Sequence, residues 1–92
     1  MRIVFDPRAA EDLDEIFAWI ARDNPRAAAD MVERIEDRIR RLGQRGFAEI
    51  GRPGQVEGTR ELVTAPYIIV YELRRSRGEI LIRAIFHGAQ KR

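Results

Sequence analysis

The sequence predicts an α+β fold in the order β-α-α-β-β-β, a helical hairpin packed on one face of an antiparallel sheet. Three observations carry this. Two stretches of helical apolar spacing each open on a capping residue followed by proline, at Asp6-Pro7 and Asn24-Pro25. A glycine-rich break at residues 43–59 ends that pattern. Three short runs of β-formers, separated by tight turns, complete the chain.

Taken in order, RIVF (2–5) is a short strand. After Asp6-Pro7, Ala9, Leu13, Ile16, Phe17 and Ile20 recur at helical spacing and make one apolar face, which ends near Arg22. Trp19 sits off that stripe. After Asn24-Pro25, Ala28, Met31, Val32, Ile35, Ile39 and Leu42 line a second helix. Its outer face carries acid-to-arginine pairs four apart, Asp30–Arg34, Glu36–Arg40 and Asp37–Arg41, each worth about 0.2–0.5 kcal/mol. Gly43 is a natural stop. The short link between the helices makes them antiparallel neighbours. GQRGFAEIGRPGQVEGT (43–59) holds five glycines and a proline and reads as a loop. RELVT (60–64), a bend at Ala65-Pro66, YIIVYELR (67–74), a turn at RSRG (75–78) and EILIRAIFH (79–87) read as consecutive antiparallel strands.

Ninety-two residues predict one domain, 1–92, with a single core. No cysteine and one histidine leave neither thiol chemistry nor a metal centre, and no cofactor is expected. No stretch approaches a membrane span, and MRIVFDPRAAEDLDE is too acidic for a signal peptide. A cytoplasmic protein without membrane contact is therefore expected. Net charge is +2, but unevenly laid out: residues 1–37 hold ten acids against five arginines, and residues 38–92 hold twelve basic side chains against five acids. The second half can build a basic surface for RNA or an acidic peptide, or simply an ordinary solvated face.

Strict alternation along the last strand places Ile80, Ile82, Ala84 and Phe86 against the helices. Leu81, Arg83, Ile85 and His87 then share the uncovered face, with Arg83 and His87 roughly 13 Å apart at about 3.3 Å per residue. Arg60 opens the preceding strand, and the loop before it leaves its phase open. Each has a structural alternative. His87 can cap the turn into Gly88, Arg83 can pair with Glu72 or Glu61, and Arg60 can brace the glycine loop through its carbonyls. Tyr67 and Tyr71 read as sheet packing.

The segments AAEDLDEI, IARDNP, GRPGQVEGTREL, PYIIVY and IRAIFHG together resemble the RelE/ParE superfamily, the toxin halves of bacterial type II toxin–antitoxin modules. The strand order read above from periodicity is the order this family has, and the likeness runs nearly the whole chain. RAIFHG and the length of the helices look closer to the ParE branch. The resemblance implies a plasmid-stabilisation toxin neutralised by a cognate ParD-like antitoxin, whose C-terminal segment folds on binding.

Two activities follow from the resemblance. A ParE-like chain poisons DNA gyrase by binding; its expected partner contacts are Trp19 and Phe17, in an apolar groove the antitoxin segment covers, and Arg60 and Arg83, which meet acidic side chains. A RelE-like chain cuts messenger RNA on the ribosome, with Arg60 stabilising phosphate, His87 as acid or base and Arg83 as a second cation. The lysine-rich equipment of the RelE nuclease is missing, because Lys91 is the lone lysine. That favours the binding toxin.

Overall fold

The computed structural model describes residues 1–89; Lys91 lies outside them. Strand β1 (Arg2–Phe5) leads into helices α1 (Pro7–Ala21) and α2 (Pro25–Leu42). Strands β2 (Arg52–Pro53), β3 (Thr59–Thr64), β4 (Tyr67–Arg74) and β5 (Glu79–His87) follow. Both helix starts are the predicted ones. The Asp6 carboxylate accepts from Arg8 N–H at 2.9 Å and the Asn24 side chain from Ala27 N–H at 3.0 Å, so each satisfies an otherwise orphaned donor. Of the acid–arginine contacts on α2, the one made is Asp37–Arg40, three residues apart rather than four.

The fold class is α+β as read, but the sheet is mixed and has five strands, in the order β1-β5-β4-β3-β2. β1 lies parallel to β5, Arg2 beside Glu79 through Phe5 beside Ile82, while the other neighbours are antiparallel. The cause is the helical hairpin. Two antiparallel helices carry the chain away and back, so the return permits a parallel pairing that no tight turn allows. The fifth strand is two residues long and sits inside the predicted loop, where Arg52 and Pro53 pair with Glu61 and Arg60.

One core joins Ala9 and Ile16 of α1 and Ile35, Ile39 and Leu42 of α2 to Leu62, Tyr67, Ile69, Tyr71, Ile80, Ile82 and Ile85 of the sheet. Each fully buried aliphatic here contributes about 1.5–3 kcal/mol. The strand members of that list define the helix-covered face. The period of two holds through Ile80 and Ile82 and then breaks. Val70 pairs with Ala84 and Tyr71 with Ile82, which leaves Arg83 as one extra residue, a β-bulge. Beyond it the phase inverts. Ile85, not Ala84 or Phe86, enters the core, at 3% exposure.

Candidate functional site

The bulge separates the residues expected to work together. Arg83 bonds to Glu72 at 3.2 Å. Glu72 follows the buried Tyr71 and therefore points to the uncovered face, carrying Arg83 with it. His87 pairs with Tyr67, a core residue, and lies edge-on to its ring with centroids 5.5 Å apart. It faces α1. The expectation that Arg83 and His87 share the open face is thus corrected: the sheet lies between them. His87 also fills its structural role, its Nδ1 accepting from Ala89 N–H at 3.1 Å across the turn at Gly88.

The uncovered face is not a bare cationic surface. Arg2 meets Glu79, Arg52 meets Glu61, and Arg74 and Arg83 both meet Glu72. Guanidinium groups already holding carboxylates attract a phosphate backbone far less than free ones do.

Arg60 sits elsewhere again. It pairs with Tyr71, on the helix side, and its Nη1 donates to the carbonyls of Gly51 at 2.9 Å and Glu49 at 3.2 Å. Tyr71 is fully buried, and its hydroxyl accepts from Gly51 N–H at 2.9 Å. Burial pushes this phenol above its ordinary value of 10.0, while the Gly51 N–H and the Arg60 charge pull partly back. Gly51 is required for the close approach, because a Cβ there would lie 2.6 Å from the Tyr71 hydroxyl and 2.8 Å from the Glu61 carbonyl. GRPG and TREL are therefore two halves of one clamp that binds the long loop to β3 and β4. Outside it, Glu49 reaches Arg75 at 2.6 Å. The motif's regular glycines were the available signal for this. The role of the Tyr71 hydroxyl had none, because a tyrosine in an apolar strand reads as packing.

Arg60 and His87 lie two strands apart and are displaced by four residues along β4, from Tyr71 to Tyr67. At about 3.3 Å per residue and about 4.8 Å per strand, their backbones are roughly 16 Å apart. Arg60 is turned into the loop, whereas His87 faces the cleft beside α1.

The end of β5 that carries His87 borders an open cleft of about 610 Å³, whose other wall is α1. Asp12 stitches the two walls together, its Oδ2 accepting from Ile85 N–H at 2.8 Å. Trp19 stands on the rim, 68% exposed, with the Arg22 guanidinium 5.3 Å from its ring centroid. Phe17 is 42% exposed and does not line the cleft. Two positions from Trp19 on a helix, it faces another direction, so these two aromatics do not form one groove. Among the described residues no group of three or more ligating side chains could hold a metal ion, and no helix is long and apolar enough to cross a membrane.

Comparison with known proteins adds to this geometry. Residues 3–92 match the family model described as the ParE toxin of the type II toxin–antitoxin system parDE. The chain belongs to the ParE toxin family. A curated relative, "Putative toxin Y4kP" of Sinorhizobium fredii strain NGR234, is 41% identical over 92 residues, spanning 98% of this chain and 91% of that protein. The chromosomal ParDE toxin–antitoxin system of Pseudomonas aeruginosa contains a chain of similar structure, with TM-score 0.80, 28% identity and 95% coverage of both chains. The RelBE2 toxin–antitoxin complex of Mycobacterium tuberculosis shares the fold, with TM-score 0.60, 23% identity and coverage of 94% and 95%. The ParE branch read from RAIFHG is the branch the family model gives, and this is a ParE-family toxin.

Proposed function

We propose that this single-domain ParE-family toxin acts in the cytoplasm by binding DNA gyrase, and that a cognate antitoxin silences it by folding a C-terminal segment onto it. Its place would be a plasmid-stabilisation module. One observation carries the choice of binding over catalysis: Arg60, Arg83 and His87 occupy three separate places, each with its own protein partner. Cleavage by a ribose 2′-hydroxyl needs base, acid and cation around one phosphate. This chain offers no such convergence among its described residues. Binding needs only a rigid scaffold with presented groups. Trp19 and Phe17 are the exposed contacts available for it, with Arg83 presented in its pair with Glu72, whereas Arg60 is engaged by the loop.

The test is to add the purified chain to a gyrase supercoiling assay and, separately, to a translating ribosome extract. We expect lost supercoiling with accumulation of cleaved DNA, reversed by the antitoxin, and intact messages. Cut messages with unimpaired gyrase would overturn the proposal in favour of a RelE-type ribonuclease.

A further inference from the structure

The cleft between α1 and the end of β5 differs in chemistry from the rest of the molecule. Asp12, Glu15 and Trp19 follow at steps of three and four along α1, so two carboxylates and an indole stand in one line. The Asp12 bond to Ile85 N–H fixes that carboxylate through Oδ2. Across from them, Tyr67 and His87 form an aromatic wall.

An exposed indole flanked by carboxylates suits one kind of ligand group. A cation over the ring face is attracted by its quadrupole, and the neighbouring carboxylates add Coulomb attraction. The molecule makes such a contact itself, because Arg22 lies over Trp19 although it does not line the cleft. Among the described residues, Arg8 is the one arginine that does line it. It stands four residues from Asp12, seven from Glu15 and eleven from Trp19, roughly 6 Å, 10 Å and 16 Å along the helix at about 1.5 Å per residue. The stretch between Glu15 and Trp19 is thus the part of the cleft farthest from that cation. Charge complementarity extends beyond the cleft, since residues 1–37, which carry α1, hold ten acids against five arginines.

We infer that this cleft is a docking site for a basic side chain, an arginine or lysine, presented by a protein partner and seated between Glu15, Asp12 and Trp19. The inference rests on the cleft alone and is independent of whether gyrase is the target.

Trp19 is the only tryptophan, so its fluorescence reports from the site. The full chain is titrated with acetyl-Gly-Arg-Gly-amide and, in parallel, acetyl-Gly-Glu-Gly-amide. The arginine peptide should give a saturable change that weakens with salt, and the glutamate peptide none. Asp12→Asn, which keeps an oxygen for the Ile85 N–H, combined with Glu15→Gln should lower affinity about tenfold with an unchanged melting temperature. Arg8→Ala and Arg22→Ala should each raise it about twofold by removing repulsion or competition. Trp19→Phe, followed by calorimetry, should bind more weakly. Equal binding of both peptides, indifference to the double amide substitution, or weaker binding after Arg8→Ala would each overturn the inference.

Discussion

The two ends of the sheet are built on opposite terms. At the loop end, Arg60, Tyr71, Gly51 and Glu49 satisfy one another, and little is left over for a ligand. At the α1–β5 end, Trp19, Glu15 and His87 border open space. The loop end has the motif and the charged residues that suggest chemistry. The cleft end, built from AAEDLDEI and IRAIFHG without a glycine-rich loop, is the more accessible. A regular pattern of glycine and arginine marks a place where backbone must be held closely, which is a structural demand as often as a catalytic one.

Substitutions can break this contrast, and they rank by how much of the clamp they remove. Gly51→Ala should be the most damaging, because neither the Tyr71 hydroxyl nor the Glu61 carbonyl can retreat easily. A loss of about 1–3 kcal/mol, toward its upper end, is expected in denaturant unfolding, the range for overpacking a well-packed site. Arg60→Ala should follow. It deletes two charge-assisted bonds to carbonyls and should cost about 1.5–3 kcal/mol, with Arg60→Lys restoring only part because an ammonium lacks the planar fork. Unchanged stability with lost toxicity would return Arg60 to a direct functional role.

Tyr71→Phe should cost about 1–2 kcal/mol by leaving Gly51 N–H without its acceptor. It should also change the alkaline limb. Because burial raises the folded-state pKa of Tyr71 above 10.0, the folded form holds its proton where the unfolded form has lost it. That contribution is complete below about pH 10 and is lost as pH rises through the folded value. Melting profiles of the phenylalanine variant should therefore fall less steeply above pH 10.

The cleft end should respond least. His87→Ala removes one edge-on ring contact and one turn bond and should cost about 0.5–1 kcal/mol, with toxicity retained. Trp19→Ala should stay within about 0.5 kcal/mol of the parent in stability, as befits a side chain so exposed. A cooperative loss of fold from either would erase the distinction between the two ends.

Much of this was legible in the chain. The caps at Asp6 and Asn24, both helix spans and the three long strands follow from local rules, and local rules are what a sequence displays. The parallel seat of β1 was not, because pairing between residues 77 apart leaves no trace in periodicity. Neither was the bulge. Its insertion looks in sequence like any other strand residue, and only the mismatch with β4 exposes it. The structural readings of Arg60 and His87 were available as alternatives, since an arginine after a glycine loop finds carbonyls and a histidine at a turn finds an amide. The cleft needed three dimensions, because its two walls come from residues 48 or more positions apart.

The extra residue in β5 works as a phase shifter. Without the bulge, strict alternation over the four residues between Ile82 and His87 would turn His87 out over the bare side of the sheet, beside Arg83, and the cleft would lose its inner wall. Bulged or regular pairing with β4, with every side-chain identity kept, decides whether this scaffold presents its histidine to a helix or to open solvent.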